Sequence, residues 1–330
     1  MSTTAPDRAG SGAGTPTGRP GPTGPDTALR GLAGRLGPLR NSPRLVRGLC
    51  LATLVANCGI VVTGAAVRLT GSGLGCPTWP SCTDDSYVNS PAYGIHGYVE
   101  FGNRMLTFVL AAVIAATVVA SAMQYNRRPV LVWLAAGQLL GIVAQAVLGG
   151  ITVLTGLNPW TVAGHFLLSM VLVYAAYTLF HRSGEGDGPR ELLVAAPMVW
   201  VARAIAAAAA ATIAVGTVVT GSGPHAGDSR AGRTGFDPAL ISQLHADLVF
   251  LLVGLTVAAL LGFRAARSPR RLQAALLTLL CVELAQGAIG YVQYFTGLPV
   301  VLVGVHILGA CVLWVFAVRV LFTTRVRREA

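Results

Sequence analysis

The stretch His96-Gly97-Tyr98-Val99-Glu100-Phe101-Gly102-Asn103-Arg104 opens an apolar run that continues from Met105 to Met123. The run is long enough for a membrane crossing of roughly 20 residues, so an imidazole, a carboxylate and a guanidinium stand at the mouth of a transmembrane helix. On an α-helix, positions i, i+4 and i+7 share a face, which aligns His96, Glu100 and Asn103 in one polar stripe. Ionisable groups at membrane depth are expensive and normally line a bundle interior or a functional path. At headgroup level they cost little. The stripe has both readings, and the rest of the chain bears on the choice.

Of the 330 residues, 53% are hydrophobic and 11% charged, too little polar surface to cover a soluble globule. The net charge of +11 comes from Arg alone, because the chain has no Lys, and the Arg residues lie in short segments between apolar runs. That placement reads as membrane topology rather than nucleic-acid binding. Residues 1–42 are rich in Gly, Pro, Thr and Arg without apolar periodicity and are expected to form a disordered cytoplasmic tail. They do not carry the pattern of a signal peptide. Eight apolar runs follow, at about 45–67, 97–123, 129–152, 161–181, 193–220, 239–263, 272–295 and 300–322. The predicted fold class is therefore an all-α polytopic membrane protein of eight transmembrane helices.

Orientation follows from the basic residues. Arg40, Arg44 and Arg47, then Arg127 and Arg128, Arg182 and Arg190, Arg264, Arg267, Arg270 and Arg271, and Arg325, Arg327 and Arg328 all fall on one side of the eight runs. Both termini are thus expected in the cytoplasm of a multi-pass cell-membrane protein. The opposite loops hold Arg68, Arg230 and Arg233 together with Asp84, Asp85, Asp228 and Asp237.

An ungapped repeat appears at an offset of 141: Ala144-Gln145, Gly149, Thr155-Gly156-Leu157, Val162 and His165 match Ala285-Gln286, Gly290, Thr296-Gly297-Leu298, Val303 and His306. A weaker match pairs Val61-Val62-Thr63-Gly64 with Val218-Val219-Thr220-Gly221, and pairing Phe108 with Phe250 sets Asn103 against His245. The chain reads as two pseudo-symmetric four-helix bundles, 43–181 and 193–322, joined by a cytoplasmic segment 182–192 and followed by a tail 323–330.

His165, His245 and His306 all fall shortly after the outer start of a span. A lone histidine on an apolar face is usually a core residue; three at one depth, two of them repeat-related, point to a shared ligand. Paired imidazoles from facing helices can hold a haem iron on both axial sides, with the bundle core as an apolar slot. His245 and His306 make such a pair. In the first half the equivalents are Asn103 and His165, with His96 two turns away as a substitute ligand, so one half reads as a fixed cofactor site and the other as a site whose ligand exchanges. Zinc is the competing reading, and it needs a third or fourth ligand nearby.

Cys76 and Cys82, in Gly-Leu-Gly-Cys-Pro-Thr-Trp-Pro-Ser-Cys, share the first outer loop and are expected to be oxidised there, either as a staple or as an electron-passing dithiol. His225 in the third outer loop is read as a cap on the second bundle, a propionate contact or a solvated residue; His181 is assigned no role. Glu283 and Asp247 are read as proton-path groups or as partners for Arg203 or a ring nitrogen.

Residues 61–82, the Glu100 helix, Gly-Pro-His-Ala-Gly-Asp at 223–228, and the repeat-related His165 and His306 together resemble the haem A synthase family, across residues 45 to 322. The resemblance implies oxidation of a ring methyl of haem O to the formyl group of haem A, for terminal cytochrome oxidases. It implies a permanent haem b on His245 and His306, a substrate haem O held by His165, Glu100 as the functional acid, and Cys76 and Cys82 as the loop cysteine pair of some members. It also implies haem O synthase as supplier, an external electron carrier, and a catalytic side toward the extracytoplasmic face. Many members carry a histidine where this chain has Asn103, which leaves His96 or single-sided ligation for the substrate iron. A carboxylate such as Glu100 suits methyl oxidation, because it can stabilise positive charge or take a proton in a low-dielectric site. The alternatives are a dihaem b-type electron-transfer protein and a repeat-built transporter.

Overall fold

A computed structural model describes residues 42–123 and 128–328. The expected N-terminal tail up to Asn41, with Arg40, lies outside the described residues, as do Arg127 and the last two positions of the C-terminal tail. Among the described residues, eight helices are long and apolar enough to cross a membrane: α1 (Pro43–Leu69), α2 (Gly94–Ala122), α3 (Pro129–Leu154), α4 (Pro159–Ser183), α5 (Ala196–Ser222), α6 (Pro238–Ala265), α7 (Arg270–Phe295) and α8 (Val300–Thr323). The chain is an all-α, multi-pass membrane protein. Helix starts are set locally. Ser42, Asn158 and Asp237 accept backbone N–H groups as N-caps, each followed by a proline whose missing N–H costs nothing in the first turn. Ser42, counted with the tail in the sequence reading, thus belongs to α1.

Packing follows a ring in each half. α1 packs on α2, α2 on α3, α3 on α4 and α4 back on α1; α5 to α8 repeat the pattern. In each ring α2 and α4, or α6 and α8, stand diagonally across the interior, and these are the helices that carry Asn103, His165, His245 and His306. The rings meet through α4 on α8, α1 on α8 and α4 on α5. Exchange of α1 with α5 and α4 with α8 maps that set of contacts onto itself, as a pseudo-twofold axis requires. Across it the Trp314 indole donates to the Met170 carbonyl at 2.9 Å.

Burial repeats at the offsets read from the sequence. Met170, Leu172, Ala176 and Leu179 on α4 and, 141 residues on, Cys311, Leu313, Ala317 and Val320 on α8 are all buried; so are Leu110, Ile114, Thr117 and Ser121 on α2 and, 142 residues on, Leu252, Thr256, Ala259 and Phe263 on α6. The Val-Val-Thr-Gly match does not extend down its helices: at that spacing buried Cys50, Thr53 and Leu54 fall opposite exposed Ala207, Ala210 and Ala211. The two Thr-Gly-Leu turns keep one conformation, with Gly156 and Leu157 at φ 62° and 60° and Gly297 and Leu298 at 79° and 60°. Two successive left-handed residues, one a branched leucine, are rare. Here the leucine N–H groups close each turn onto Thr152 and Gln293, a helix C-cap geometry.

The apolar core lies toward the Arg-rich end. In the first ring Val46, Cys50, Ala120, Leu131, Ala135 and Leu179 form a sealed cluster there, and in the second Ile205, Phe263, Leu272, Leu276 and Val318 do the same. The connecting segment holds a strand: Arg190–Leu192 is β1, paired antiparallel with β2 (Arg325–Arg327), so the linker and the C-terminal segment form one ribbon. Arg128, Arg182, Glu185 and Asp187 link ion pairs beside it.

Candidate functional site

At 1.5 Å per residue, His165 and His306 lie about 9 Å, and His245 roughly 10 Å, from the loop-side ends of α4, α8 and α6. Each ring fits against a glycine. A Cβ on Gly149 would lie 3.1 Å from His165 Cε1, on Gly216 3.2 Å from His245 Cε1, and on Gly290 3.6 Å from His306 Cε1. Gly149 and Gly290 are repeat partners, so the same device makes room for an imidazole in both halves.

The structure brings His245 and His306 together, with ring centroids 6.4 Å apart and planes at 74°. Two imidazoles bound to one metal at about 2 Å per bond have centroids roughly 6 Å apart. Nδ1 of His165, His245 and His306 is buried without a hydrogen-bond partner in every case. The pair and its spacing fit a bis-imidazole haem. A zinc ion fits less well: among the described residues no group of three or more His, Cys, Asp or Glu could hold a metal, whereas zinc takes four ligands.

The polar stripe on α2 splits among three partners. Glu100 is only 5% exposed, buried under the loop that follows α1. Its Oε1 pairs with Arg104 Nη2 at 2.7 Å, and its Oε2 accepts the Cys76 backbone N–H at 2.7 Å. Arg104 also donates to the carbonyls of Cys76, Thr78 and Ser81, so the buried carboxylate is paired with a guanidinium that is itself tied to the loop, which is how a buried charge is tolerated. Cys76 and Cys82 form a disulfide. The loop they close lies directly on α2, because Gly75 meets the His96–Gly97 backbone with no room for a Cβ, and Trp79 covers Gly150 of α3. Asn103 Oδ1 accepts the Thr63 hydroxyl of α1 at 2.8 Å. His96 Nδ1 lies 2.9 Å from Ser72 Oγ, beside a cleft of about 460 Å³ lined by Gly71, Gly75, Tyr93, Asp228 and Arg230.

His225 takes the capping place among its readings: Nε2 lies 2.9 Å from the Leu298 carbonyl of the second Thr-Gly-Leu turn. Its own carbonyl accepts Arg68, which also reaches the Thr220 carbonyl, tying α1 to α5. The Arg230 guanidinium beside Asp228 holds that carboxyl below the usual carboxylate range. Neither expected partner of Arg203 is found on it: Arg203 stacks on Trp200, Asp247 accepts from Gln243, and Glu283 from Thr256. His181, given no role, contacts Glu185 near the ribbon. Arg104, Thr63 and Ser72 were missed as site residues. Only Arg104 left a signal, its i,i+4 spacing from Glu100.

Residues 47–227 match the family COX15-CtaA, described as cytochrome oxidase assembly protein. A protein named Heme A synthase from Geobacillus kaustophilus (strain HTA426) is 34% identical over 123 residues, 36% of this chain and 37% of that protein. One of the same name from Geobacillus thermodenitrificans is 33% identical over 121 residues, 36% and 37%. A third, from Bacillus licheniformis, is 24% identical over 149 residues, 45% and 48%. The matched segments thus span between about a third and a half of these relatives. With more than half of its length inside the family match, the chain belongs to the COX15-CtaA family of cytochrome oxidase assembly proteins.

Proposed function

We propose that this protein is a haem A synthase: an oxidoreductase that converts a ring methyl of haem O to the formyl group of haem A for terminal cytochrome oxidase. The observation that carries the reading is the asymmetry between two halves built on one plan. The second slot has two facing imidazoles, His245 and His306, and Ser242 at the position that corresponds to Glu100. The first slot has one imidazole, His165, and a buried acid. A slot with two ligands suits a permanent group; a slot with one ligand and an acid suits a substrate that arrives, reacts and leaves. An electron-transfer protein with two equivalent haems gains nothing from that difference.

His165 binds the haem O iron and sets the depth of the ring. Glu100, fixed by Arg104 and the Cys76 N–H, would stabilise the electron-deficient carbon formed as the methyl is oxidised, or take its proton. The loop closed by Cys76–Cys82 shields this acid from bulk water. His245 and His306 would hold a haem b, which supplies one-electron transfer between substrate and an external carrier. The Arg-rich end faces the cytoplasm by the positive-inside rule, which turns the slots toward the extracytoplasmic side. Haem O synthase is the supplier that this substrate requires.

The test is chromatography of porphyrins extracted from cells in which this protein is the sole source of the activity. Native protein is expected to yield haem b with haem O and haem A. Glu100→Ala should cut haem A by about 10²-fold or more, with haem O accumulating. Normal haem A from that variant would remove the role of Glu100, and native protein devoid of haem would remove the whole reading.

A further inference from the structure

We propose that the first slot binds its tetrapyrrole iron through His165 alone, and that the Asn103 amide, oriented by Thr63, faces the opposite axial position as a hydrogen-bond donor to a small exogenous ligand. The inference rests on the reading of that slot as a haem site and says what is special about it in this chain.

The register is secure. Four buried positions on α2 recur 142 residues later on α6, and the same offset carries Asn103 onto His245. In the second half that position sends an imidazole across the ring of helices to within 6.4 Å of His306. In the first half the same position holds a shorter, neutral amide, on the helix diagonal to that of His165. The amide oxygen is engaged, because Oδ1 accepts the Thr63 hydroxyl at 2.8 Å, a proton shared with the Ile60 carbonyl at 3.1 Å. What remains is the Nδ2 end, which among the described residues donates to no protein acceptor and is not sealed off by protein. An N–H₂ group has no lone pair for iron; it can only donate. The unengaged end of the amide is therefore a donor.

His96 does not replace the missing ligand. It lies in the first turn of α2, seven residues and roughly 10 Å along the axis from Asn103. Its Nδ1 is engaged with Ser72, and it borders the cleft shared with Asp228 and Arg230 rather than the interior of the ring. Histidine-bearing helices stand diagonally in both halves, but only in the second does the diagonal end in two imidazoles.

Absorption and electron paramagnetic resonance spectra of the full chain, purified with its bound haems, test this. Native protein should show a low-spin signal that disappears in His245→Ala and a separate high-spin signal that disappears in His165→Ala. Cyanide or imidazole should convert the high-spin signal to low-spin. Asn103→His should be low-spin in both sites without added ligand. Asn103→Leu should stay high-spin but bind cyanide about tenfold more weakly, the loss of one hydrogen bond, and Thr63→Val should move in the same direction through misorientation of the amide. Two low-spin signals in native protein, one of them abolished by His96→Ala, would overturn the inference and leave the haem reading intact. Absence of any signal dependent on His165 would overturn both. The native cyanide titration decides the matter even if a variant fails to fold.

Discussion

Glu100 holds its position through two oxygens with different partners, and the difference separates chemistry from architecture. Glu100→Gln keeps the volume and removes the charge, while Arg104 retains the Cys76, Thr78 and Ser81 carbonyls. Removal of Arg104 does the opposite. Arg104→Ala is expected to destabilise the protein by about 3 kcal/mol, the low end for one partner of a buried pair, because its side chain keeps 22% exposure. The freed loop should also let reductant and alkylating reagent reach Cys76 and Cys82 faster. Thermal unfolding in detergent and timed thiol labelling check both; native-like values would mean that Arg104 does not anchor the loop. At this scale the sequence marked the acid that the structure buries and the two imidazoles that it brings together. It could not show that a backbone N–H from 24 residues earlier folds back onto Glu100, since no local pattern encodes which loop atom returns to a helix.

The helices behave as interchangeable parts with different fittings. Their number and limits were legible, because hydropathy sets the spans and proline with Ser, Asn or Asp before it sets the starts. The β1–β2 ribbon was not, because two three-residue strands are too short for an alternating pattern and pair across more than 130 residues of chain. The glycines that face the rings give the element scale its prediction. Ala at Gly149 would press on His165 at 3.1 Å, tighter than ordinary contact, whereas Ala at Gly290 would meet His306 at 3.6 Å. On the proposed haem reading, Gly149→Ala should therefore shift the spectrum assigned to His165 and spare the signal assigned to His245 and His306. Gly290→Ala should leave both unchanged. Equal spectra for the two variants would separate the glycines from any role in seating the rings.

As a whole, the molecule is one plan used twice and then made unequal. The repeat was readable as letters, and it returns as burial on α2, α4, α6 and α8. Its diagonal arrangement was not readable, because ring order depends on contacts between α1 and α4 and between α5 and α8, helices far apart in the chain. The closed, tightly packed Arg-rich half and the placement of all three imidazoles within roughly 10 Å of the other end have an electrical consequence. A unit charge driven across the entire insulating layer exchanges about 2.3 kcal/mol with each 100 mV of membrane voltage; one that arrives and departs through the same face exchanges a small fraction of that. The proposed haem A formation is thus expected to run, in sealed vesicles, at one rate whether the voltage is imposed or collapsed with an ionophore. A rate that tracks the voltage would mean that electrons or protons traverse the closed half after all.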